Sequence, residues 1–431
     1  MRLDLPTVIP GLPGAVSGPE TKETAGDDGG WTQNDKQGNG NMTIALICDV
    51  LGEANNGTVI ATMNLIEHLK SRGHRVLVVS PDGTKAGIPD YFVAPTMSFG
   101  PLIDRAVQKN GVALAKPDKA MLRSVIEQAD IVHLEMPFAL ARCAVKLARE
   151  LNKPVTSSFH CQAENFTAHI GAMNSALVNH LVYKNFYRAV FSQCNAIHYP
   201  TDFIRQLFYQ HTRCQVPAYV ISNGVSDAFF SPAPKGETRE KFTIVCTGRY
   251  SPEKAQAVLI RAVAGSKYRD NIELVLAGDG PLKGTLQRLA RRKKVACECR
   301  FFPRQELIQA LHSADLYVHT ALMEIEAIAC MEAIAAGLVA VICDSERSAT
   351  RFFAVDERTL FRPNDPRDLR RKIEYFYENR DALQTYRERY AARSLSFGQQ
   401  ECMEQMEHML LATAKSGRGD QPCGLKTKNM R

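Results

Sequence analysis

The spacing of apolar positions changes repeatedly along this chain, and each change marks the start of a new element. Residues 43–50, TIALICDV, form a short, nearly unbroken apolar run, as a strand covered on both faces requires. A turn rich in Gly and Asn occupies 52–57. Val59, Met63, Ile66 and Leu69 then recur at helical spacing, and Gly73 ends that pattern. RVLVVS at 75–80 is the next strand. This strand–loop–helix–strand order predicts a parallel sheet, whose strands need a crossover that a helix supplies. Further strands are expected at 130–134, 154–160, 196–200 and 218–223.

A second series starts after SPAPKGETRE at 231–240. Strands are expected at 242–249, 272–280, 299–303, 315–321 and 338–344, with a helix over 255–264. A last helix over 399–412 has Cys402, Met406, Met409 and Leu410 as its packing face. The alternation predicts an α/β fold of two consecutive doubly wound halves, with the boundary near residue 235.

Composition adds the ends and the setting. Residues 1–41 are rich in Gly, Pro, Asp, Asn and Thr without an apolar period, so they are expected to be a disordered tail. The folded body then starts at Met42, itself a candidate start of translation. The expected domains are a tail at 1–41, a first α/β domain at 42–235, a second at 236–412 and a loose tail at 413–431. Of 431 residues, 45% are hydrophobic and 23% charged, which suits a globular protein with a real core. No apolar run is long enough to cross a bilayer, and the first residues lack the pattern of a secretory signal. A cytoplasmic location follows as an expectation. Twelve cysteines without a CxxC, Cys297 and Cys299 being the nearest pair, read as reduced thiols. Residues 1–41 hold three basic and six acidic groups, so the net charge of +7 becomes +10 on the rest. An excess of that size favours anionic partners without choosing among them.

The strongest chemical signal lies at 316–343, where the only formal charges are Glu324, Glu326 and Glu332 in a long apolar stretch. A buried carboxylate without a partner costs several kcal/mol. One reading puts these acids on the wet side of an amphipathic helix. The other has the chain turn at 324–327 and begin a helix near Ile328 that ends at Gly337. The N-terminus of that helix would present amides and positive dipole to an anion.

Glu324, seven intervening residues, Glu332-Ala333 and then Gly337 resemble the E-x7-E motif of retaining glycosyltransferases of family 4. The resemblance runs from about residue 42 to 412. It implies the GT-B fold, two Rossmann-like domains facing each other across a cleft, the first for the acceptor and the second for a nucleotide-sugar donor. GRYSPEK at 248–254 is similar to the family segment that holds the donor diphosphate, which assigns Gly248, Arg249 and Lys254. Fixed cations there would stabilise the charge that develops on the leaving diphosphate. AGDGP at 277–281 resembles a following glycine-rich turn, with Gly278 as a donor contact, although Lys283 breaks a dinucleotide fingerprint.

By position, the resemblance gives Glu332 the ribose hydroxyls and Glu324 the transferred sugar. Ile325, Glu326, Ala327 and Ile328 would lie under the phosphates. Phe-Gly is usual where this chain has Glu326-Ala327, and a further carboxylate near a diphosphate is unfavourable unless it points away. Asn56-Gly57 aligns with a family Gly-Gly loop, Gly57 allowing close backbone approach. Ala61 stands where a histidine is usual. His160, in SSFHCQAEN at 157–165, is the candidate histidine at a strand end close to the sugar. Asn223-Gly224 resembles the turn before the interdomain linker. The candidate catalytic set is His160, Arg249, Lys254 and Glu324.

There is no Asp-x-Asp and no zinc-like Cys/His spacing, so no metal and no further cofactor are expected beside a UDP- or GDP-sugar donor. Ser157 and Ser158 lack the elbow of a hydrolase nucleophile. Lys184, Arg188 and Arg205 alternate with Tyr183, Phe186, Tyr187, Phe191, Phe203, Phe208 and Tyr209, and 291–294 is a basic run. Such residues can seat a protein on an anionic leaflet, or form a solvated, partly core-facing helix. QKNGVALAKPD at 108–118 and FHCQAEN at 159–165 resemble a glycolipid-forming glucosyltransferase branch, with diacylglycerol as candidate acceptor. The expectation is a hexosyltransferase, peripheral on the inner membrane face, with no nucleic-acid partner. An epimerase or phosphorylase of the same fold, and a nucleotide-sugar sensor without turnover, are the alternatives.

Overall fold

The computed structural model describes residues 40–49, 57–97, 114–168, 172–230 and 240–417. The expected tails up to residue 39 and beyond 417, Asn56, and residues 108–113 lie outside them. Two parallel sheets carry the described chain. The first contains β1 (Thr43–Ile47), β2 (Arg75–Ser80), β3 (Tyr91–Val93), β4 (Ile131–Leu134), β5 (Val155–Ser158), β6 (Ala196–Tyr199) and β7 (Ala218–Val220), in the order β3-β2-β1-β4-β5-β6-β7. The second contains β8 (Phe242–Thr247), β9 (Ile272–Ala277), β10 (Ala296–Arg300), β11 (Leu316–His319), β12 (Ala340–Cys343) and β13 (Leu360–Phe361), in the order β10-β9-β8-β11-β12-β13.

Both orders start in the middle, run to one edge, then return and run to the other. That is the doubly wound arrangement anticipated from the alternating pattern. It leaves a switch point between β1 and β4 in the first sheet and between β8 and β11 in the second. Ligands of such sheets bind beyond the carboxyl ends of the strands at that point. Central strands are buried along nearly their whole length: Ala45, Leu46 and Ile47 of β1 and Ile244 and Val245 of β8 have no exposed surface to speak of. This is why they read as unbroken apolar runs.

Four elements differ from expectation. The strand expected at 299–303 lies at Ala296–Arg300, because this edge strand alternates with charged residues and the apolar pair Phe301-Phe302 follows it. β3 and β13 are too short and too polar in surroundings to have been legible. The helix expected to end at 412 runs over Gln399–Ser416, with Thr413 and Ala414 buried. It packs on the first sheet, its Cys402, Met403, Met406, Met409 and Leu410 against Ile44, Leu46, Val59, Leu65 and Ile66. Its Glu407 is 2.8 Å from His68 Nε2 and 3.1 Å from His74 Nε2. This last described helix thus packs on the first half. Among the described residues no helix is long and apolar enough to cross a membrane.

Candidate active site

Two glycine turns build the floor. β8 ends at Thr247, and Gly248 follows at φ +128°, a conformation that excludes most side chains. At the end of β9, a Cβ on Gly278 would come within 2.1 Å of the Gly248 carbonyl oxygen. A Cβ on Gly280, at φ +153°, would likewise come within 2.7 Å of the Tyr250 backbone N and O. Gly278, expected as a donor contact, is therefore required for packing: its missing side chain lets the second turn lie against the first.

Arg249 is thus set beyond the end of β8, its carbonyl accepting 2.8 Å from Gln256 Nε2. A single 3-10 turn, Pro252–Lys254, then carries Lys254 to β11, where Thr320 Oγ1 donates to the Lys254 carbonyl at 2.6 Å. Lys254 Nζ forms an ion pair with Glu324, and His319 Nε2 lies 3.3 Å from the same carboxylate oxygen. Burial opposes ionisation of Glu324, but Lys254 and His319 outweigh it and hold its pKa down at about 2. The same partnership raises Lys254 against its own burial.

Past Glu324 the chain crosses to the first half. The Ile325 carbonyl accepts from Thr201 Oγ1 at 2.8 Å. Ala327 then adopts φ +65° and starts the helix Ile328–Ala335. A Cβ placed on Gly57 would lie 3.5 Å from Ile328 Cδ1. Gly57 is the first residue of the helix Gly57–Ser71, so two helix N-termini, one from each half, meet here. Both present positive dipole ends to the space between them. One turn into the second of these helices, Glu332 is half-buried and its carboxyl is pushed up to about 7 by burial, Arg304 offsetting only part.

The Glu326 side chain turns to the segment after β7. Asn223 donates to it from its main chain, at 3.0 Å, and from Nδ2, at 2.6 Å. Burial pushes the carboxyl up to about 7 despite the hydrogen bonds from Ser222 and Asn223. The Glu326 carboxylate, expected under the phosphates, has its hydrogen bonds supplied by the segment after β7.

His160 follows β5, with Nε2 3.2 Å from Glu135 Oε2. Glu135, 1% exposed, also lies 3.5 Å from His133 Nε2. Beneath them Ser158 Oγ sits 3.0 Å from His133 Nε2 and 2.9 Å from His198 Nδ1. Burial lowers His133 and holds His198 down at about 3, while the hydrogen bond with His160 leads the interactions that hold Glu135 low against its burial. Ser158 is thereby committed between two rings, and Ser157 Oγ donates to the Leu134 carbonyl at 3.0 Å. Glu135 went unnoticed in the sequence. The signal that could have found it is an acid placed directly after a buried strand, β4.

The aromatic residues considered for a membrane face are mostly core. Phe159 stacks on Phe191 at 5.2 Å and meets Phe208 at 4.8 Å, with Tyr183 and Phe186 buried beside them. The apolar residues left outside on the helix Ala176–Ala189 are Leu177, 70% exposed, and Leu181, 58% exposed, with Arg188 exposed and Lys184 half-exposed farther along.

Residues 55–229 match the family model Glycosyltransferase Family 4, and residues 228–394 match Glycosyl transferases group 1. The alpha-monoglucosyldiacylglycerol synthase of Streptococcus pneumoniae is 25% identical over 315 residues, covering 69% of this chain and 70% of the relative. The catalytic domain of a cholesterol-alpha-glucosyltransferase from Helicobacter pylori is 47% identical over 36% of this chain and 98% of its own length, with a TM-score of 0.36. The Anabaena HepE structure, solved with UDP and glucose, is 17% identical, covers 86% of this chain and 100% of its own, and superposes with a TM-score of 0.68.

Proposed function

Because the chain belongs to the glycosyltransferases of group 1 and family 4, with the GT-B fold, we propose that it moves a hexose from a UDP- or GDP-sugar to a lipid hydroxyl, with retention at the anomeric carbon. The observation that carries this reading is the Lys254–Glu324 ion pair, four residues before the N-terminus of the helix Ile328–Ala335, which meets the N-terminus of the helix Gly57–Ser71. In the free protein Glu324 neutralises Lys254 inside a partly dry site. A bound diphosphate offers Lys254 a second anionic partner, and its three N–H donors can serve both. Arg249 and the amides at the start of Ile328–Ala335 complete the cradle. Charge that builds on the leaving diphosphate is then met by groups already in place, without a metal ion. Glu332, at a pKa of about 7, suits hydrogen bonding to ribose hydroxyls in either protonation state. Glu324 and His160 would contact the transferred sugar from opposite halves. A reaction on one face of the sugar fits this set, in which no side chain is placed as a covalent nucleophile.

A lipid acceptor is supported by the diacylglycerol-glucosylating relative and by Leu177 and Leu181, which stand in solvent beside Lys184 and Arg188. Apolar side chains flanked by cations are what a peripheral helix needs on an anionic leaflet. The test is a screen of nucleotide sugars by nucleotide release, with and without vesicles containing diacylglycerol and an anionic lipid. Release with one donor, strongly raised by the vesicles and yielding an α-configured glycolipid from an α-linked donor, is the expected result. Release to a soluble acceptor with no vesicle binding would remove the lipid, and an inverted product would remove retention.

A further inference from the structure

Cys297 and Cys299 lie two residues apart on β10, the edge strand of the second sheet. Residues so spaced share one face of a strand, and the two Sγ atoms are 3.4 Å apart. Cys297 is half-buried against the apolar core of the second half, and Cys299, 8% exposed, belongs to that core, so the pair is reached from the Cys297 end. The hydrogen bond from Cys297 lowers the Cys299 thiol, with help from Lys283 against burial, whereas burial pushes the solitary thiols of Cys161 and Cys343 up to about 12. A thiolate therefore forms more readily within this pair than at those buried sites.

We propose that Cys297 and Cys299 form an oxidisable dithiol, closed by exchange with a small disulfide such as glutathione disulfide, and that closure weakens binding of the nucleotide-sugar donor. One cysteine thiolate attacks a sulfur of the small disulfide, giving a mixed disulfide and one small thiol. The other cysteine attacks the protein sulfur of that bond, the Cys297–Cys299 bond forms, and the second small thiol leaves. The two protons lost by the cysteines end on the two released thiols.

An extended strand spaces such residues by about 6.5 Å between Cα atoms, at the upper limit for an unstrained disulfide. Closure thus puckers the strand, and the bond is of the labile kind that thiols reopen. The pucker has a short path to the donor turn. Arg300 is the next residue, and its carbonyl accepts from Gly278 N at 2.8 Å. Gly278 in turn has no slack against the Gly248 carbonyl. This second half of the proposal rests on Gly248–Arg249 being the diphosphate turn.

The experiment treats the reduced full-length protein with glutathione disulfide, blocks free thiols and maps the peptides. The expected product is a 297–299 peptide two hydrogens lighter, unblocked and restored by dithiothreitol, and absent from C297S and C299S. Donor Kd by calorimetry should rise several-fold on oxidation of the wild type and stay constant in the double variant. Both cysteines recovered as blocked free thiols would overturn the dithiol. A mapped disulfide with unchanged donor Kd would overturn the coupling. Reduced protein that binds no nucleotide sugar would overturn the donor reading and the coupling together, while the peptide map still decides the dithiol.

Discussion

Asn223 holds Glu326 with both of its amides, the main-chain N–H at 3.0 Å and Nδ2 at 2.6 Å from Oε2. The carboxylate belongs to the loop after β11, and its donors to the segment after β7. One residue thus ties the loop after β11 to the first half, close to where the chain leaves it. Asn223→Ala removes one of the donors and leaves a buried carboxylate underserved. The expected loss is about 1–3 kcal/mol, read by urea denaturation. A variant as stable as the wild type would show that the pair does not hold the halves.

Ionisation of buried carboxyls gives a signed pH dependence. Asp49, Glu326 and Glu332 each sit at about 7 in the folded protein, above their unfolded values. The folded state then binds more protons than the unfolded one between the two values, so stability falls as pH rises through that window. His133 and His198 are depressed and act oppositely, but only below their unfolded values near 6.5. Tm is therefore expected to fall as pH rises towards about 7 and to level off above it. Glu326→Gln should flatten that slope, and an unchanged slope would remove Glu326 from the account.

Lys254→Ala separates the ion pair and strands Glu324 in a partly dry site. Loss of a fixed cation at a leaving diphosphate is expected to lower kcat by about 10²–10³. Lys254→Arg should restore part of the rate, which a merely structural role would not require. Equal rates for wild type and Lys254→Ala would dismiss the diphosphate assignment.

Glu135 is argued to act through His160, 3.2 Å away. Glu135→Gln keeps the shape and removes the charge that orients the ring, with kcat expected to fall about tenfold, ~1.4 kcal/mol in barrier, and donor KM nearly unchanged. Combining it with His160→Ala should add little beyond His160→Ala alone, because the two share one effect. Additive losses would separate their roles.

Ala327 holds φ +65° without being glycine. Ala327→Gly relieves the clash of Cβ in the left-handed region, against a larger unfolded-state entropy. The expected net gain is up to about 1 kcal/mol, measured by chemical denaturation. A loss of stability would mean that the methyl group, 7% exposed, contributes more by packing than it costs in strain.

Much of this was local and therefore legible. Unbroken apolar runs follow from strands covered on both faces, and helical spacing from one buried face, so the alternation alone indicated two doubly wound halves. The turn at Glu324, the helix from Ile328 and its end before Gly337, at φ +84°, are short-range features too. Partner choice was not local. Glu326 meets Asn223 across 103 positions, and Glu407 meets His68 across 339. No periodicity specifies such pairs, so only folding could turn Glu326 away from the phosphates and return the last helix to the first sheet. The aromatic residues near 183–209 are of the same kind. Their composition allowed either core or membrane, and the tertiary structure buried Phe186, Phe191 and Phe208 while leaving Leu177 and Leu181 outside, because apolar surface is removed from water wherever a neighbouring layer exists to cover it.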